Sequence, residues 1–246
     1  VKDDAVATVG LFNEIAPPDI AVRQDAIYSS IYRRGDYPFV YPEGVATDKG
    51  DRMSQEEFSR RYTEKVLPYS RAKFGALDGK IITVGAMARY NISRQNLHRN
   101  VLALSQELAL GDRFTDRFQN NLAQAIELMH CIQRATDILE NLDLREIPRS
   151  RVVPKAGHAV AITEAPRGIL MHQYDLDENG KVRFVNIVTP TSINVASIES
   201  DLRTILPNLR NKSDSDIASY IQMLIRACDP CFSCSAHTIK VKVERT

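Results

Sequence analysis

With 246 residues, 43% of them hydrophobic, the chain can bury a substantial core as one large domain or two small ones. Its 32 Lys and Arg balance 31 Asp and Glu, for a net charge of +1 with no long single-sign block, so electrostatic capture of nucleic acid or anionic lipid is not indicated. No apolar run approaches the roughly 20 residues of a membrane span. Four cysteines are too few for a disulfide framework in a chain of this length, and three of them cluster at Cys228, Cys231 and Cys234. This pattern predicts a reducing, cytoplasmic setting and metal chemistry. The chain opens on Val1 with no signal-like segment after it, which predicts a processed chain or a fragment.

In chain order, residues 1–80 carry many breakers, including Pro17, Pro18, Pro38, Pro42, Gly44 and Gly75. They read as an irregular peripheral layer that needs a scaffold beneath it. The exception is a helical run over 54–66, opened by Ser54 and Glu57 in capping-box spacing. Apolar residues at three- and four-residue spacing predict packed helices over 91–107 and 115–142, joined at Gly111 and Asp112, within a helical section spanning 90–145. The buried stripe of the second comprises Leu122, Ile126, Met129, Ile132, Ile138 and Leu142. His130 and Cys131 read as packing residues of that helix.

Past Pro154 the pattern shortens to strands over 158–163, 168–174 and 181–188 in a small sheet spanning 155–192, with Asn179-Gly180 as a hairpin turn. The Thr189-Pro190-Thr191-Ser192 stretch stops the last strand. Helices follow over 198–206 and 214–227, the second capped by Ser213, so 195–237 holds helices and the cysteine turn. The fold class is therefore α+β, mainly helical, with long packed helices and a small antiparallel sheet, and 1–246 reads as one domain. Cys231, Cys234 and His237 stand at Cys-x-x-Cys-x-x-His spacing, which brings two soft thiolates and an imidazole to one tight turn. On spacing alone, a structural zinc knuckle is the plain reading.

The run from Asp229 through Pro230, Cys231 and Cys234 to His237 resembles the C-terminal signature of nickel-iron hydrogenase large subunits. Glu164-Ala165-Pro166-Arg167-Gly168, with Leu170 and His172, is similar to a second motif of that family, and Thr189-Pro190-Thr191 to a third. Val84-Gly85-Ala86-Met87-Ala88-Arg89-Tyr90-Asn91 is similar to a segment of its soluble, cofactor-coupled branch. The resemblance covers roughly residues 60–237. It implies the C-terminal half of a large-subunit fold, because no second cysteine pair stands in residues 1–226.

What the resemblance implies about chemistry is specific. Cys231 becomes a terminal nickel ligand and candidate proton acceptor, and Cys234 a thiolate bridging nickel and iron. The iron carries cyanide and carbon monoxide. Arg167 lies over the open face of the metals, with Asp229 as its carboxylate partner and Glu164 helping to fix it. Thr191 donates to a cyanide, and backbone near Pro166 serves the other. His237 binds a magnesium-type ion, with the Ile187 carbonyl as companion, while His172 braces its strand. The implied partners are an N-terminal half with the other Cys-x-x-Cys, an iron-sulfur small subunit, further electron-transfer subunits, and dihydrogen as substrate. Cys228 reads as packing in the last helical turn. Residues 238–246 read either as an uncleaved tail or as a retained strand, since 239–243 alternate. The competing reading is a noncatalytic scaffold or assembly protein with zinc in the cysteine turn.

Overall fold

The computed structural model describes residues 1–15, 17–22, 26–143, 153–231 and 240–244. The first eighty residues differ from the irregular layer expected of them. They form helix α1 (Lys2–Glu14), strands β1 (Ile27–Tyr32), β2 (Gly44–Thr47) and β3 (Arg52–Met53), helix α2 (Gln55–Arg61), and strands β4 (Tyr62–Val66) and β5 (Lys73–Leu77). With β6 (Ile82–Thr83) they build a sheet ordered β3-β2-β1-β6, antiparallel except for the parallel β1 and β6 pair. Strand β1 hides from a hydrophobicity reading because Ser29 and Ser30 interrupt it. Both serines are buried and satisfied: Ser29 donates to the Ala46 carbonyl at 3.2 Å and Ser30 to that of Ile31 at 3.0 Å. The layer also supplies core, since Ile31, Val45, Met53 and Phe58 pack with Ile162, Ile169 and Met171.

The run expected as one helix over 54–66 is split. Ser54 caps α2 by accepting from the Glu57 amide at 3.1 Å, but the Glu57 carboxylate turns to Arg61, so only half of a capping box forms. From Tyr62 the chain pairs as β4 with β5. The helix expected over 91–107 is likewise two, α3 (Ala86–Ser93) and α4 (Arg99–Glu107), separated by a 3₁₀ turn at Arg94–Asn96. Two side chains account for the break. Asn91 clamps the Phe114 backbone with two 2.8 Å hydrogen bonds, and the His98 ring caps α4 by accepting from Asn100 N at 3.2 Å.

Helix α5 (Asn120–Glu140) begins after a true capping box between Asp116 and Gln119 and a 3₁₀ turn at Arg117–Gln119. Leu122, Ile126 and Met129 are buried as expected and Ile132 is partly buried, but Ile138 and Leu142 are 56% and 51% exposed. Cys131 is exposed as well, one position off the buried face, contrary to the packing role expected of it. His130 does pack inside. Its ring accepts from the His98 amide at 3.0 Å, and burial holds its pKa down at about 4, so it is the neutral acceptor this bond requires.

Strands β7 (Gly157–Ala165), β8 (Gly168–Leu176) and β9 (Val182–Val188) form the expected antiparallel meander. Helix α6 (Pro190–Leu209) starts well before the expected residue 198. Thr189 caps it and Pro190 occupies the first turn, where its missing N–H costs nothing, so the expected strand stop is also a helix start. Helix α7 (Asp214–Ala227) matches its expected limits, with Ser213 accepting from Asp216 N at 3.2 Å. Residues 240–244 are not a strand, although Val243 packs beside Leu209 and Leu224. Among the described residues no helix is long and apolar enough to cross a membrane.

Candidate metal centre

The end of α7 delivers the chain to Cys231. Cys228 closes the helix, buried beside Leu224, and burial pushes its thiol pKa up to about 12 despite the pull of Arg117. It remains a neutral packing group, as expected of it. Asp229 then takes the left-handed conformation, φ +49°, which turns the chain out of the helix axis. Three elements hold that turn. Asn120 and Gln124 of α5 reach the Ala227 carbonyl at 2.8 Å and Asp229 Oδ2 at 2.9 Å. Arg167, in the tight turn between β7 and β8, donates from Nε to the Asp229 carbonyl at 2.8 Å and from Nη2 to Asp229 Oδ1 at 3.0 Å. Thr191, 2% exposed in the first turn of α6, accepts from the Cys231 amide at 3.2 Å.

The β7–β8 turn is itself wedged against the start of α3. Gly168, φ +129°, and Gly85, φ +114°, let the two backbones touch: a Cβ on Gly168 would stand 2.8 Å from Gly85 N, and one on Gly85 would stand 3.0 Å from the Arg167 carbonyl. Asn194 of α6 ties the pair together, accepting from Val84 N at 2.9 Å and donating to the carbonyls of Val84 at 3.1 Å and Arg167 at 3.3 Å. Four motifs remote in sequence thus meet at one place. Between them lies a small polar cavity lined by Gly85, Arg117, Gln124, Arg167, Cys228 and Asp229.

Of the expected site residues, Arg167, Asp229, Thr191, Pro166 and Cys231 are brought together. Cys234 and His237 lie outside the described residues. Ile187 is paired with His172 in the β8–β9 ladder, and the His172 ring contacts the Tyr174 hydroxyl at 3.2 Å, which braces the strand. Glu164 corrects one expectation: it pairs with Arg89 at 2.6 Å, not with Arg167. Strand alternation explains this, because Glu164 faces inward toward β1, where its Oε1 also accepts from the Ile31 amide at 3.0 Å. Burial pushes its pKa up to about 7 against the pull of the Arg89 guanidinium.

A second buried pair, Arg117 with Asp201 at 2.6 Å, was not anticipated. Arg117 also reaches Ser197 at 3.0 Å and Thr83 at 3.3 Å, and it lines the same cavity as Cys228. The signal for it is present in the sequence as Asn194, Ser197 and Asp201, polar residues at helical spacing that share the buried side of α6 with Ile193, Ala196 and Ile205.

The model of a family described as nickel-dependent hydrogenase matches residues 13–237, nearly the whole chain. The chain belongs to the nickel-dependent hydrogenase family. Among curated proteins it is 34% identical over 213 residues to the alpha subunit of sulfhydrogenase 1 from Pyrococcus furiosus, covering 85% of this chain and 49% of that one. It is 33% identical over 197 residues to the alpha subunit of sulfhydrogenase 2 from the same organism, covering 78% and 46%. This member of the hydrogenase family therefore spans about half the length of the curated relatives it matches.

Solved structures carry the same fold. An NAD+-reducing [NiFe]-hydrogenase in the H2-reduced state aligns with TM-score 0.76 at 23% identity, covering 96% of this chain and 56% of that one. The [NiFeSe] hydrogenase G50T variant of Desulfovibrio vulgaris Hildenborough aligns with TM-score 0.63 at 19% identity, covering 95% and 58%. At these identities the likeness establishes the α+β hydrogenase fold.

The donors of this hydrogenase-family chain fit a soft-metal centre in part. Cys231, disulfide-bonded in this structure, sits on a turn held from three sides, and its sulfur becomes a soft donor once reduced. Among the described residues there is no group of three or more His, Cys, Asp or Glu placed to hold a metal ion.

Proposed function

We propose that the chain is the C-terminal catalytic half of a nickel-iron hydrogenase, catalysing reversible heterolytic cleavage of dihydrogen at a thiolate-bridged site. A separate N-terminal half with a second Cys-x-x-Cys completes the site, and an iron-sulfur small subunit, with further electron-transfer subunits, carries the electrons. The whole of 1–246 then acts as one domain of the larger fold, in the cytoplasm. Cys231 and Cys234 hold the metals, and His237 with the Ile187 carbonyl takes a magnesium-type ion. When bound, the nickel-iron centre with its cyanide and carbon monoxide ligands supplies the Lewis acidity that splits dihydrogen.

The observation that carries this reading is the Arg167 fork. A structural zinc turn has no use for a guanidinium locked by two hydrogen bonds to the residue two positions before its ligand. A gas-activating site does, because a fixed cation stabilises negative charge as it develops without having to reorganise. Cys231 Sγ, reduced to the thiol level and bound as a thiolate, is the acceptor for the proton released from dihydrogen. Asp229 and Gln124 orient Arg167 from behind. Thr191, whose hydroxyl oxygen accepts the Cys231 amide, keeps its own O–H proton for a cyanide nitrogen. Pro166 places the neighbouring backbone for the other.

Isotope exchange tests the reading. The assembled, metal-loaded complex is expected to form HD from dihydrogen in deuterated water without any added electron acceptor. Nickel-containing complex that forms no HD would remove it.

A further inference from the structure

Arg89 of α3 is 1% exposed, and all five of its N–H donors are used. Nε and Nη2 bind Glu127 as a fork, both at 2.6 Å, and Nη1 reaches Glu164 at 2.6 Å. The two remaining donors go to main chain, Nη1 to the Ala165 carbonyl at 3.1 Å and Nη2 to the Pro166 carbonyl at 2.8 Å. The carboxylates are tied in turn. Tyr37 donates its hydroxyl to Glu127 at 2.6 Å, and Ile31 N donates to Glu164.

A buried ion pair needs only its carboxylates, so the two carbonyls ask for a separate account. They belong to the two peptide units immediately before Arg167, and the next carbonyl, that of Arg167 itself, is held by Asn194. Three successive carbonyls are thus gripped from the interior. Because a peptide unit is planar, fixing its carbonyl fixes its orientation, and three in a row leave the Arg167 side chain one direction of departure. That direction is toward Asp229 and the cysteine turn.

We propose that Arg89, clamped between Glu127 and Glu164, is the positioning residue that aims Arg167 at the metal centre. The inference rests on the hydrogenase reading above. Lysine cannot replace it, since an ammonium carries three donors on a flexible stem in place of five in a rigid fork. With the carboxylates still paired, Arg89→Lys releases the carbonyls first.

The test compares wild type, Arg89→Lys and Glu127→Gln in the assembled, metal-loaded complex. Arg89→Lys is expected to keep its nickel, shift or broaden the infrared bands of the iron-bound diatomic ligands, and lower HD formation on the order of 10- to 100-fold, the loss typical of a small misplacement. Glu127→Gln, which leaves both carbonyl contacts in place, is expected to reduce stability with the bands unmoved. In the chain alone, hydrogen-exchange mass spectrometry is expected to show faster exchange at the Arg167 and Gly168 amides in Arg89→Lys, with α7 unchanged. Wild-type bands and amide exchange in Arg89→Lys would overturn the inference, as would a loss confined to stability. Absence of diatomic bands in wild type would instead count against the hydrogenase reading, with the amide-exchange comparison still testing Arg89.

Discussion

Gly168→Ala is expected to destabilise the chain by about 4 kcal/mol, a left-handed backbone penalty and an overpacking penalty of similar size added together. The backbone there holds φ +129°, which residues with a Cβ rarely adopt. The added methyl would stand 2.4 Å from Val84 Cγ2 and 2.8 Å from Gly85 N. Rotation of Val84 moves its Cγ2 but not its Cβ, which would stand 2.7 Å from the methyl. Gly85 N is main chain at the mouth of α3, tied to Asn194 through Val84, and relieving that contact would part the two segments that aim Arg167. Gly10→Ala is the matched control, because it lies inside α1 with nothing within 4 Å of the added methyl. It is expected to stabilise the chain by about 0.5–1 kcal/mol. Urea midpoints for the two variants moving in the same direction would contradict this account of the wedge.

Cys231→Ser is expected to abolish nickel retention and lower HD formation by more than about 100-fold, beyond the 10- to 100-fold loss typical of outer-shell residues. A hydroxyl is a harder donor than a thiolate and stays protonated at neutral pH, so it fails both as metal ligand and as proton acceptor. The turn itself should persist. What ties residue 231 to Thr191 is its backbone amide, which serine retains, and Asp229 keeps its bonds to Arg167 and Gln124. Two further cysteines discriminate. Cys228→Ser places a hydroxyl in the apolar cluster beneath α7 and is expected to cost about 1–3 kcal/mol of stability while leaving nickel in place. Cys131→Ser, at an exposed position, is expected to change neither. Equal nickel contents in Cys231→Ser and wild type would remove Cys231 from the ligand set.

What was legible in the sequence was what local chemistry determines. Ser213 caps α7 where a helix start was expected, and Asn179-Gly180 falls in the turn between β8 and β9, because caps and turns depend on a few adjacent residues. That turn is the longer loop 177–181, with Gly180 at φ +75°. The Arg167 and Asp229 pair was legible only through the family motifs, since 62 positions separate its members. Where the reading failed, distant residues decided. Strand β1 is concealed by serines whose hydroxyls are satisfied within the sheet. The break between α3 and α4 depends on Asn91 holding Phe114, and the partner of Glu164 on a helix 75 positions upstream. Ion pairs such as Arg117 with Asp201 leave no trace in local periodicity on the arginine side, though the polar residues on the buried side of α6 announce that the helix faces something charged.

On the reading proposed above, this chain brings one side of a nickel-iron site to a partner that brings the other. Infrared spectroscopy of the complex formed with the polypeptide carrying the second Cys-x-x-Cys tests it most directly. Sharp cyanide and carbonyl stretching bands that vanish in Cys231→Ser are the expected result. A complex that carries zinc and shows none of these bands would contradict it.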